Sequence, residues 1–156
     1  LATVSTEEKA ELARRAGADD VVVGYDGFPE RVRELSGGEG AAAVYDGVGR
    51  TTFAAGLTAL RPTGRMIVYG AASGQPEPLP VQQLASHGSL YVQRPTLATY
   101  TRTPEMLRER AGAVLEMVAA GRLDVRIGGR YPLAEARRAH EDLEGRRTTG
   151  KLLLTV

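Results

Sequence analysis

The residues best placed for chemistry gather at the ends of short apolar runs. Ser5, Thr6 and Lys9 follow the run Leu1-Ala2-Thr3-Val4. A helix N-terminus presents free N–H groups and the positive end of a dipole, so it attracts anions. Ser5 adds a hydroxyl there, and Lys9, one turn on, adds a full charge. That combination suits a phosphate. The plain alternative is a capped helix with a solvated lysine. An enzyme that grips a bare ribose places Asp or Glu at such a strand end, and Ser5 stands there instead. Tyr25 follows a second run, Val21-Val22-Val23, and could stack, donate its hydroxyl or simply sit in a surface loop. Asp46-Gly47-Val48-Gly49 turns tightly after a third run. Tyr69-Gly70-Ala71-Ala72-Ser73-Gly74 is a second loop of small residues after a fourth. Glycine permits a turn, or lets a backbone approach a ligand closely.

Other chemistries are poorly served. Only two histidines exist, His87 and His140, and there is no cysteine. No Ser-His-Asp set assembles from these with confidence, and disulfides and thiolate metal sites are excluded. A zinc site would have to lean on carboxylates. No catalytic residue and no metal ligand is therefore assigned. His140 reads as structural or solvated, and His87 as a loop residue. Net charge is +1, from 20 bases and 19 acids. So even a balance gives no bulk grip on nucleic acid or on an anionic membrane. No apolar run approaches the ~20 residues of a membrane span. Eighteen of the 20 bases are Arg, a bias that reads as genomic composition. Arg137-Arg138 and Arg146-Arg147 form a basic cluster, either a solvated helix face or a phosphate contact.

These residues need a scaffold, and the 156-residue chain is long enough to bury one core. Strands are expected at 1–4, 21–23, 41–45, 65–69 and 89–93. Helices are expected at 6–16, with Ser5 as N-cap and Glu8 closing a capping box, and at 28–35, 51–60 and 104–120. One helical turn is expected at 81–85. A weak extended piece at 126–131, a helix at 133–143 and a strand at 151–156 complete the chain. Strand and helix alternate four times over short links, which argues an α/β architecture with a parallel sheet and crossover helices. Near-continuous apolar strands imply a sheet covered on both faces. The chain starts at Leu1 inside an apolar run, which reads as the continuation of a longer polypeptide.

With the strand-end loops in view, the chain resembles the quinone oxidoreductase (zeta-crystallin-like) family of the medium-chain dehydrogenase/reductase superfamily. The resemblance rests on Thr3 to Lys9, Ala16 to Asp19, Val44 to Gly49, Tyr69 to Gly74, Gly88 to Pro95 and Ala139 to Lys151, in the family's order. It is closer to bacterial NADPH:quinone reductases than to zinc alcohol dehydrogenases. It implies an incomplete Rossmann-type sheet over 1–122, lacking the first strand and its Gly-rich turn, and a segment at 123–156 returning to a GroES-like domain. No G-x-G-x-x-G is present. It implies NADPH as cofactor, with Ser5 and Lys9 on the adenosine 2′-phosphate and Tyr25 nearby. Local loop length differs there, which leaves Gly24 as the alternative. Gly47 would lie on the adenosine side, where the family often has Ser. Tyr69 and Gly70 would approach the nicotinamide, and Arg94 and Arg146 would line the pocket or contact phosphate. A homodimer through the edge strand Ser89–Arg94, a quinone or enone substrate and a cytoplasmic, zinc-independent enzyme follow from the same resemblance. The rivals are a Rossmann remnant that holds a nucleotide or RNA without turnover, an enoyl reductase domain of a larger synthase, and a structural fragment with no ligand.

Overall fold

The computed structural model describes residues 1–145 and 147–156. They form two compact units, Leu1–Leu97 and Ala98–Val156. In the first unit, strands β1 (Ala2–Val4), β2 (Val21–Val23), β3 (Ala41–Asp46), β4 (Leu60–Val68) and β5 (Tyr91–Gln93) alternate with helices α1 (Glu7–Arg15), α2 (Phe28–Leu35), α3 (Phe53–Ala59) and α4 (Gln82–Ser86). β1 pairs with β2, and β4 lies between β3 and β5. Every pairing is parallel. Parallel neighbours require a crossover, which α1, α3 and α4 supply, while α2 carries the chain from one strand pair to the other sheet. The α/β architecture expected from the alternation is the one observed.

The second unit holds α6 (Pro104–Ala119), β6 (Ile127–Pro132), α7 (Ala136–Glu144) and β7 (Lys151–Thr155), with β6 and β7 parallel. A single helical turn, α5 (Leu97–Tyr100), precedes α6 and was not anticipated. Thr103 caps α6 by accepting from the Met106 N–H at 3.3 Å. The helix expected at 133–143 begins instead as a 3-10 turn, Leu133–Glu135. Pro132 fixes the entry but leaves the first turn tight. The Tyr131 hydroxyl donates to Asp142 at 3.0 Å and ties β6 to α7.

The core of the first unit is built on α3 and β4. Met66 is fully buried, with Phe53, Leu57, Leu60, Val68 and Leu90 around it. Gly56 is the residue that admits the Met66 side chain. A Cβ there would stand 2.8 Å from the Met66 terminal methyl. The segment 60–68 departs from the expected strand at 65–69. Ala41 pairs with Leu60 and Ala43 with Arg65, so the residues between bulge out of the ladder. Pro62 has no N–H to contribute, and regular pairing resumes past Gly64.

Two expectations fail. Ser5 does not cap α1: Thr6 does, its hydroxyl accepting from the Lys9 N–H at 3.3 Å. The helix therefore starts one residue later than expected, and Lys9 rather than Glu8 stands at the third position, so no capping box forms. Nor is the parallel sheet covered on both faces. All three residues of β5 are exposed, those of β1 are only half-buried, and Tyr45 on β3 is 70% exposed. The described helices bury chiefly β4.

Met66→Ala should lower stability by about 2–5 kcal/mol in denaturant unfolding, the cost of a large cavity in a packed core. Thr6→Ala should cost about 1 kcal/mol, and Ser5→Ala much less, because only Thr6 satisfies a helix N–H. Arg31 hydrogen-bonds Asp20 and holds its carboxyl below the ordinary carboxylate range. A depressed folded value stabilises above the ordinary carboxylate pKa and is lost as pH falls through the folded one. Asp20→Asn should accordingly flatten the acid limb of melting temperature against pH; an unaltered limb would remove the pair from the account.

Candidate functional site

Strand register brings the expected residues together in two groups. On one side, Val4 is opposite Val23, and the Gly24 N–H donates to the Val4 carbonyl at 2.7 Å. Ser5 and Gly24 therefore leave their strands side by side, with Tyr25 next along and half-buried. Because Thr6 takes the cap, the Ser5 hydroxyl is free to accept from Lys9 Nζ at 3.3 Å. Glu7 is drawn off to Arg14 at 3.4 Å. No carboxylate pairs with Lys9 among the described residues. An unneutralised ammonium beside a hydroxyl, at a helix N-terminus, is a donor set for a phosphate.

On the other side, Asp46 is opposite Val68, so Gly47 and Tyr69 emerge together. The Tyr69 and Gly70 N–H groups both donate to the Asp46 carbonyl, at 2.9 and 3.2 Å. The Tyr69 ring lies over Gly47, and a Cβ on Gly47 would stand 2.9 Å from the Tyr69 hydroxyl oxygen. A serine at this position would push the exposed ring aside. Gly70 is packed tighter still, its own Cβ position being blocked by the Gly47 backbone. Arg94 follows β5 and donates to the Val68 carbonyl at 2.9 Å, which places it at the same strand ends. Arg146 lies outside the described residues.

A third feature had not been singled out for a role. Asp46 is buried, at 5% exposure. Its Oδ1 accepts from the Val48 N–H at 2.7 Å, the Gly49 N–H at 3.0 Å and the Thr52 hydroxyl at 2.9 Å. Ser73 stitches the second loop to this turn by donating to the Val48 carbonyl at 2.8 Å and accepting from the Thr51 N–H at 3.1 Å. The signal was in the sequence: an Asp with Gly at the next and third positions and Thr six on is an Asx-type turn.

The basic cluster is largely neutralised. Arg137 pairs with Glu141 at 2.8 Å, Arg138 with Glu135 at 3.1 Å and Arg147 with Asp142 at 2.8 Å. Arg147, with the Tyr131 hydroxyl, holds the Asp142 carboxyl below its ordinary range, and Asp142 in turn pushes the Tyr131 phenol up. Neither histidine joins a constellation: His87 Nδ1 is 2.8 Å from the Gln83 carbonyl oxygen, and His140 is exposed on α7. No helix of the described residues is long and apolar enough to cross a membrane.

A family profile described as zinc-binding dehydrogenase matches residues 16–154. The quinone oxidoreductase of Pseudomonas aeruginosa is 40% identical over 99% of this chain and 48% of its own length. Among solved structures, a mycobacterial protein complexed with NADPH superposes with a TM-score of 0.90 at 48% identity, covering 98% of this chain and 49% of that one. Escherichia coli quinone oxidoreductase complexed with NADPH gives 0.88 at 38% identity, covering 98% and 48%. The resemblance to quinone oxidoreductases is borne out. The chain spans about half the length of the curated relatives it matches.

The profile's description implies zinc, but the donors here do not fit it. There is no cysteine, and no group of three or more His, Asp or Glu among the described residues could hold a metal ion. The strand-end loops, by contrast, gather small residues, the Ser5 hydroxyl and the Lys9 ammonium. With its parallel strands, its small-residue turns and a profile match across most of its length, the chain belongs to the zinc-binding dehydrogenase family.

Proposed function

We propose that this chain is the C-terminal, cofactor-binding part of an NADPH-dependent quinone oxidoreductase. The observation that carries the reading is the Lys9 Nζ–Ser5 Oγ contact at the end of β1, with no acid paired to Lys9 among the described residues. A ribose without the phosphate calls for a carboxylate at this strand end, and the end offers an ammonium and a hydroxyl. Similar structures solved with NADPH support the choice of cofactor. The division at 1–122 and 123–156 belongs to the same proposal. It assigns α6 to the nucleotide-binding portion and β6, α7 and β7 to the returning segment.

In this reading Lys9 and Ser5 hold the 2′-phosphate, with Tyr25 or Gly24 beside them. Gly47 keeps the adenosine side open, Tyr69 and Gly70 face the nicotinamide end, and Arg94 lines the pocket. A bound nicotinamide supplies a hydride, the two-electron reductant for a quinone or activated enone. This chain's residues supply position and selectivity. The one proton that then neutralises the reduced, anionic oxygen or carbon comes from water, so no titrating side chain is needed. The enzyme works without zinc, in the cytoplasm, as a homodimer through the Ser89–Arg94 edge. The exposed β5, last in the order β3-β4-β5 among the described residues, supports that edge. The ion pairs on Arg137, Arg138 and Arg147 favour this reading over an RNA-binding remnant.

Lys9→Ala should weaken NADPH binding by ~1–3 kcal/mol and leave NADH binding nearly unchanged, as read by nucleotide fluorescence titration. Equal losses for both nucleotides would sink the 2′-phosphate assignment.

A further inference from the structure

The two strand-end loops after β3 and β4 turn several of their side-chain polar groups on each other. Asp46 Oδ1 takes three donors, one of them the Thr52 hydroxyl. The Ser73 hydroxyl donates to the Val48 carbonyl and accepts from the Thr51 N–H. The Tyr69 hydroxyl stands outside that network and hydrogen-bonds none of the described residues. A buried tyrosine finds a partner for its hydroxyl, whereas an exposed one leaves it to solvent or to a ligand. Tyr69 is 59% exposed. A phenylalanine would pack the same ring, so the hydroxyl contributes nothing to the fold.

The hydroxyl is nevertheless held in a defined place. Residue 69 leaves β4 beside residue 47, which leaves β3. The Tyr69 N–H is tied to the Asp46 carbonyl, and Gly70 closes onto the Gly47 backbone. From there the side chain reaches back over the neighbouring strand end. The three atoms nearest to a Cβ built on Gly47 all belong to the far end of Tyr69: the hydroxyl oxygen at 2.9 Å, Cζ at 3.0 Å and Cε2 at 3.1 Å. The phenol oxygen therefore occupies the space that a polar side chain on residue 47 would enter. Gly47 has no side chain to compete for it, and both residues line one cavity. The end of β3 thus receives a free hydroxyl from β4.

We propose that the Tyr69 hydroxyl, held over Gly47, hydrogen-bonds an oxygen in the sugar–phosphate chain of the bound dinucleotide. The inference rests on the cofactor reading above and adds a contact of different character. In that reading Gly47 lies on the adenosine side, and the backbone of Tyr69 and Gly70 faces the nicotinamide end. Between the two run sugars and phosphates, and a neutral phenol can donate to an oxygen of either. Lys9 and Ser5 discriminate, because only NADPH carries the 2′-phosphate. Tyr69 binds what NADPH and NADH share, so it adds affinity without preference.

Calorimetric titration of the full chain with NADPH, NADH and ADP-ribose tests the contact. Tyr69→Phe should weaken all three by about three- to tenfold, the scale of one uncharged hydrogen bond, with the denaturant midpoint unchanged. The hydroxyl should also be replaceable from the other strand end. In the Tyr69→Phe background, Gly47→Ser and Gly47→Ala crowd the ring alike and differ by one hydroxyl. The serine variant should bind about three- to tenfold more tightly than the alanine variant. Equal binding by these two overturns the placement over Gly47. Unaltered affinity in Tyr69→Phe overturns the contact, and so does a loss confined to NADPH or to the two nicotinamide nucleotides. A loss matched by a lower midpoint makes Tyr69 structural and overturns it as well. If the parent chain binds NADPH, these failures leave the cofactor reading standing; a parent chain that binds none of the three ligands overturns both.

Discussion

The strand-end architecture of the first unit hangs on Asp46. One oxygen of its buried carboxyl group accepts three hydrogen bonds and folds residues 46–52 into a closed turn. The turn seats the start of α3, whose Phe53 and Leu57 enclose Met66. Through its backbone carbonyl the same residue anchors Tyr69 and Gly70, and through Val48 it receives Ser73. Remove that oxygen and three donors lose their partner inside a site with little water to replace it. The tight approach of Gly47, Tyr69 and Gly70 depends on this arrangement, because each lacks room for a bulkier neighbour.

Around that hub the unit is built asymmetrically. β4 is packed between β3 and β5 and beneath α3, and it carries Met66, the one fully buried large side chain among the described residues. β1 and β2 form a separate pair, held by α1 and by the Asp20–Arg31 contact to α2. α2 also reaches α3 through Arg33, which donates to the Thr58 carbonyl at 2.5 Å. Helix packing therefore holds the two sheets in one unit without a ladder between them. The open edges and exposed apolar residues are what a parallel sheet shows when some of its neighbours lie outside the chain. The half-length coverage of the relatives agrees with this.

Much of the site was legible in the residues. The apolar runs were short, β-branched and spaced by amphipathic stretches, so strand ends could be located to within a residue or two. Small residues after the third and fourth runs marked the tight turns, and the spacing of Ser5 and Lys9 put a hydroxyl and an ammonium one turn apart. Capping was less legible. Ser5 and Thr6 are both good caps, and local sequence does not choose between them. The choice of Thr6 follows from how β1 delivers the chain into α1, and it is what releases Ser5 to face Lys9. The strand start at Leu60 was hidden for a related reason: Pro62 and Gly64 read as a stop, yet the ladder bulges around them and resumes.

Sequence alone determined the alternation of strand and helix, the lack of any cysteine thiolate, and the identity of the strand-end residues. These are local properties, set by periodicity, turn chemistry and residue type. Tertiary structure decided the rest. Register put Ser5 beside Gly24 and Gly47 beside Tyr69. It also gave the described arginines of the cluster their acidic partners and buried one oxygen of Asp46 without a hydrogen-bond partner among the described residues. Pairing across a sheet and burial of a single atom depend on residues far apart in the chain, which no local pattern encodes.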